Sequence, residues 1–144
     1  MKQTFAFSTA ITALFFLISC GTPPTEKDGA QQAGTDTEQI AKDWDAAKEA
    51  YHDVMSSTFH PAEEGDLEPL KARYSELASA AKQWAALPLP ENMKNKGMEE
   101  LLQKLATDSE AIGAAVTSGS DEAITTAITA LHEVFHKIVG LCED

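Results

Sequence analysis

The stretch LEPLKARYSELASAAKQW, Leu67 to Trp84, decides the fold. Its apolar residues are Leu67, Leu70, Tyr74, Leu77, Ala81 and Trp84, set at alternating steps of three and four. At about 3.6 residues per turn, all six fall on one face of an α-helix, with charged residues such as Lys71, Glu76 and Lys82 between them. Pro69 sits in the first turn, where a missing N–H is tolerated. Asp66, just upstream, is the expected N-cap. A lone amphipathic helix cannot hide its own stripe, so neighbouring segments must supply the other walls.

Both flanks continue the pattern. Upstream, the acidic loop Ala62-Glu63-Glu64-Gly65 separates this helix from a first one spanning Glu38 to Phe59, with Ile40, Trp44, Ala47, Tyr51, Val54, Met55 and Phe59 as its stripe. His60-Pro61 is expected to end that helix, because the residue before proline is pushed out of helical dihedrals. Downstream, Leu87-Pro88-Leu89-Pro90 breaks the second helix. A third is expected from Glu91 to Thr117, with Met98, Leu101, Leu105, Ile112 and Val116 inward and Gly97 weakening its first part. Ser118-Gly119-Ser120 reads as a turn whose last serine caps a fourth helix. That helix runs to about Val139 with Ile124, Ile128, Leu131, Phe135 and Ile138 inward, and Gly140 is its expected stop. No segment alternates with period two. The expected fold is all-α, an antiparallel up-down-up-down four-helix bundle.

The amino terminus has a different character. Lys2 precedes an apolar run from Phe5 to Ile18, and small Ser19 precedes Cys20, the layout of a secretory leader over residues 1–19. Leu17-Ile18-Ser19-Cys20 resembles the lipobox of bacterial lipoproteins. The resemblance implies that the Cys20 thiol is diacylglycerated, the chain cut before it and the new amino group acylated. The palmitate-type chains would then hold the protein on a membrane, each buried methylene contributing about 0.8 kcal/mol. Gly21, in place of the aspartate associated with inner-membrane retention, implies the outer membrane, facing the periplasm. Residues 20–37, with Pro23-Pro24, Gly29 and Gly34 and few apolar residues, are expected to be a disordered tether. Residues 38–144 are expected to form the bundle.

Composition narrows the partners. Of 144 residues, 11 are Lys or Arg and 23 are Asp or Glu, a formal charge of −12. Loss of the leader removes Lys2 and makes it more acidic still. Such a surface repels nucleic acid and anionic head groups, and favours cations. No protein partner is indicated. With Cys20 lipidated, Cys142 has no intrachain disulfide partner.

The four histidines are His52, His60, His132 and His136. His132 and His136 are spaced i, i+4, on one face of the fourth helix, a spacing that chelates a metal ion. Counting turns from bundle ends assumed to be flush, His52 comes level with this pair, while His60 is assigned to the acidic loop. The expected metal ligands are therefore His52, His132, His136 and Asp108, with Met55 and Cys142 as possible additions. Imidazole suits zinc and copper, and a sulfur ligand would tilt the choice towards copper(I). His132-Glu133-Val134-Phe135-His136 also matches His-Glu-x-x-His literally, the zinc hydrolase signature. A bundle of about 105 residues offers little substrate cleft and no strand to align a substrate, so metal binding without catalysis is the better reading.

The arrangement from Ile40 to Val139 resembles the cytochrome c-prime-type bundle cytochromes. The shared features are the Leu70 and Leu77 spacing, the Leu87-Pro88-Leu89-Pro90 crossover and the late His136 followed by Lys137. The resemblance implies haem ligation by His136. The covalent-attachment pattern Cys-x-x-Cys-His is missing, with His132 and Phe135 at the cysteine positions. The helix-one methionine of the non-covalent relatives is missing near Tyr51, with His52 one residue away as a substitute axial ligand. The alternatives to a metal-ion protein are thus a b-type haem electron-transfer bundle and an envelope scaffold without a ligand.

Overall fold

In the computed structural model, residues 28–94 and 96–143 are described. They form α1 (Asp28–Glu63), α2 (Glu68–Ala85), a 3-10 turn (Glu91–Met93), α3 (Met98–Ser118) and α4 (Asp121–Glu143). The leader, Cys20 and the first part of the tether lie outside the described residues. Each helix packs on the next and α4 closes back on α1, the four-helix bundle that the periodicity predicts. Among the described residues no helix is long and apolar enough to cross a membrane.

The expected stripes form the core. Trp44, Tyr51, Met55 and Phe59 of α1 meet Leu70, Leu77, Ala81 and Trp84 of α2, Leu105 and Ile112 of α3, and Ile124, Ile128, Leu131 and Ile138 of α4. Each large side chain so buried contributes about 1.5–3 kcal/mol. The third stripe holds at Met98, Leu105 and Ile112, while Leu101 and Val116 are only half-buried and Leu102 is buried. Polar groups inside are few and mostly paired. Thr58 Oγ1 donates to the Val54 carbonyl at 2.8 Å. The Tyr51 hydroxyl and Ser109 Oγ lie 3.3 Å apart, joining α1 to α3 across the interior. Burial raises the Tyr51 phenol well above its ordinary pKa, so it stays neutral.

The helix ends depart from expectation. α1 starts at Asp28, so residues 28–37 of the expected tether are helical. Once a packed segment has nucleated a helix, extending it costs little. From Asp36 onward, Trp44 is the first buried side chain of α1. At the other end α1 runs through Pro61 to Glu63. Proline removes only one hydrogen bond in the last turn, and burial of Ala62 extends the stripe past it. The helix then stops at Gly65, φ +89°. The Gly65 N–H donates to the Ala62 carbonyl at 3.1 Å and the Asp66 N–H to the Pro61 carbonyl at 2.9 Å, a Schellman closure. Asp66 caps as expected but one residue early: its carboxylate accepts the Glu68 N–H at 3.1 Å, while Leu67 occupies the cap position.

α3 begins at Met98 and not at the expected Glu91, and Glu91–Met93 forms the separate 3-10 turn. Gly97, at φ +74°, turns the chain into α3. Ser120 caps α4 as expected, its Oγ accepting the Ala123 N–H at 3.2 Å. α4 continues through Gly140 to Glu143. Leu141 and Cys142 pack on the core there, and that contact outweighs the low helix propensity of glycine.

Candidate functional site

The histidine edge lies where α1 and α4 meet. Leu131, Val134, Phe135 and Ile138 face the interior and set the rotation of α4. His132 and His136, one turn apart beside this stripe, are half-buried and exposed respectively. Their ring centroids are 4.4 Å apart and the rings are perpendicular. His132 also stacks on Phe59, with centroids 3.7 Å apart and planes 19° apart. Burial is the main reason that the His132 imidazole is held below its ordinary pKa. Repulsion from His136 adds to it, His60 acts in the same direction, and Glu63 and Glu133 oppose it.

The Phe59 stack fixes the register of the two helices and corrects the expected one. His132 is level with the last turn of α1, beside Phe59 and His60, and not with His52. The ends are not flush. Phe59 is four residues from the end of α1 and His132 eleven from the start of α4, so α4 begins about 10 Å beyond α1. The extra length lies beside the first turn of α2, where the Lys71 ammonium reaches the Asp121 carboxylate at 3.1 Å.

The remaining expected ligands are dispersed. His52 is exposed and its ring stacks on Phe135 at 5.8 Å. Asp108, on α3, accepts a hydrogen bond from Lys104 Nζ at 2.7 Å. Met55 is in the core, 1% exposed. Cys142 is half-buried near the end of α4. Burial pushes its thiol pKa up, against the influence of Lys48 and Trp44. As the side chains lie, no three His, Cys, Asp or Glu residues among the described ones are grouped to hold an ion. The expected set is therefore not assembled. His132 and His136 are brought together; His52 stands against Phe135, the ring beside His136, and Asp108 is paired with Lys104.

Periodicity missed two residues of this edge. His60 is exposed, and its Nδ1 lies 3.2 Å from Glu63 Oε2. Its ring centroid is 5.7 Å from that of Phe59, the ring that His132 covers. The signal was the step of three from Phe59 to Ala62, which carries the helix past Pro61 and puts His60 and Glu63 in its final turn.

Behind the edge the bundle is filled. Phe135 lies 5.4 Å from Tyr51 and 6.2 Å from Trp84, and Trp84 lies 5.5 Å from Trp44, centroid to centroid. A porphyrin seated here between α1 and α4 would have to displace these rings. An open groove lined by Leu87, Leu89, Gly97, Met98 and Leu102 lies along the α2–α3 connection. That connection reaches the far end of α4, where Lys96 Nζ donates to the Leu141 carbonyl.

What the histidine edge offers chemically is a pair of imidazoles one turn apart on a fixed helix, with an exposed carboxylate and a third imidazole on the adjoining helix end. Such groups bind borderline transition metals when the imidazoles are neutral. Comparison with protein-family models, with curated proteins and with solved structures gives no match for this chain.

Proposed function

We propose that this chain is a lipid-anchored bundle of the bacterial envelope that binds a transition-metal ion, zinc or copper, on the α1/α4 edge and catalyses no reaction. The observation that supports it best is the His132–His136 pair, 4.4 Å apart and backed by the Phe59 stack. Neutral imidazole is the ligand these ions take readily, and the low His132 pKa favours its metal-binding form. The acidic charge of the chain favours cations as well.

The lipid anchor rests on the Leu17-Ile18-Ser19-Cys20 motif. With Cys20 acylated, the membrane lies on the amino-terminal side of α1. From Asp28 to Phe59 a straight helix spans about 46 Å, so a bundle standing off the membrane on its anchor would hold the histidine edge clear of the lipid. The edge would then face the periplasmic space and not the head groups.

Metal analysis of the protein isolated from membranes tests the binding, with His132→Ala/His136→Ala as control. Bound zinc or copper in the wild type only is the expected result. Equal and negligible metal in both removes the proposal. Mass spectrometry of the amino-terminal peptide tests the anchor, and an unmodified Cys20 still joined to Ser19 excludes it.

A further inference from the structure

The expected ligand set drew on His52 and Asp108. Asp108 is held by Lys104 on α3, and His52 stacks on Phe135, the ring next to His136, and not on the Phe59 ring that His132 covers. The last turn of α1 lies against His132 itself. His60 and Glu63 are spaced i, i+3 and face each other at 3.2 Å. Phe59, between them and α4 in register, carries His132 on its face at 3.7 Å and has His60 alongside at 5.7 Å. We propose that His60 and Glu63 complete the metal site, so that one divalent ion is held by the imidazoles of His60, His132 and His136 and the carboxylate of Glu63. This inference rests on the metal-binding reading above and specifies its ligands.

Three features support the assignment. The first is that this turn is fixed in place. The Schellman closure at Gly65 ends α1 just after Glu63, and buried Phe59 and Ala62 lock its rotation. The second is exposure of the ligating groups themselves. The side chains of His60 and Glu63 are 64% and 53% exposed, and His60 Nδ1 lies 3.2 Å from Glu63 Oε2. Exposed pairs of this kind are weak, so little opposes rotation of both towards an ion. That rotation is required, because the four groups do not enclose an ion as they lie. The third is charge. Glu63 supplies the anion that three neutral imidazoles lack.

The donor set decides the class of metal. Three nitrogens and one carboxylate oxygen, with no sulfur, suit zinc(II) and copper(II). Met55 is sealed in the core. Cys142 lies six residues beyond His136, about 9 Å along the helix. Copper(I), which favours thiolate and thioether, is therefore not the fitting ion.

The test is a zinc titration of the full mature chain in detergent, comparing wild type with His60→Ala, Glu63→Gln and His52→Ala. Circular dichroism checks that each variant is folded. His60→Ala is expected to weaken zinc at least ~10-fold, the lower end of what loss of even an indirect metal-site partner brings, and Glu63→Gln to weaken it less. His52→Ala is expected to match the wild type. Wild-type affinity in His60→Ala, or loss of zinc in His52→Ala, overturns this ligand set while leaving the metal reading intact. No zinc binding by the wild type removes the reading beneath it. Substitution with cobalt(II) gives a second readout: a thiolate-to-cobalt charge-transfer band would bring in Cys142 and overturn the sulfur-free set.

Discussion

The Tyr51–Ser109 contact provides a quantitative test of how the interior is held. Both residues are fully buried, and their hydroxyls lie 3.3 Å apart between helices that do not follow one another in the chain. Ser109→Ala leaves the phenol O–H inside the bundle without its partner. A buried donor left unsatisfied costs about 1–3 kcal/mol. Tyr51→Phe is expected to cost less, about 0.5–1.5 kcal/mol, because a helical serine can turn its hydroxyl to a carbonyl one turn back. In the double variant both polar groups are gone and nothing is left unpaired. The coupling energy from the cycle is expected to be about 1 kcal/mol. Urea unfolding followed by circular dichroism measures it, with melting temperature as a check at about 4 °C per kcal/mol. A coupling energy below ~0.3 kcal/mol, the usual error of additivity, refutes the claim that this pair ties α1 to α3.

Other outcomes follow from the helix ends and the titrating groups. Gly140→Ala is expected to stabilise the bundle by about 0.5–1 kcal/mol, since α4 continues past this exposed glycine and nothing lies within 4 Å of an added methyl group; destabilisation in urea melts would mean that the helix ends there. Gly97→Ala is expected to destabilise by about 1–2 kcal/mol, because φ is +74° at this turn; an unchanged urea midpoint would contradict that conformation. Burial disfavours protonated His132 in the folded state, so its contribution is full above the ordinary imidazole pKa of about 6.5 and is lost as the pH falls through and below it. Metal-free wild type should therefore lose more stability than His132→Gln between pH 8 and pH 5, and equal losses would contradict the burial. Cys142, with its thiol pKa raised by burial, should react with a thiol reagent at pH 7 more slowly than free cysteine; an equal rate would show it exposed.

The core was legible in the sequence because each helix has one face to bury. The steps of three and four from Leu67 to Trp84 name residues that are all buried or half-buried, and α4 matches at every predicted position. Helix ends were less legible because proline and glycine were read as stops on local propensity alone. Packing of Ala62 carries α1 past Pro61, and packing of Leu141 and Cys142 carries α4 past Gly140. The site suffered most from this. Two extra turns' worth of offset between the ends of α1 and α4 replaces His52 with His60 opposite His132. That offset follows from the stacking of His132 on Phe59 and from α1 running on to the Gly65 closure, neither of which periodicity encodes. The i, i+4 pair survived because it depends on one helix alone.

The proposed function stands on the His132–His136 pair holding a metal ion. Isothermal titration of the mature lipoprotein with zinc, alongside its His132→Ala/His136→Ala variant, tests it most directly. One zinc per chain in the wild type and none in the variant is the expected result. Absence of zinc binding in the wild type, or the same binding in both proteins, would contradict it.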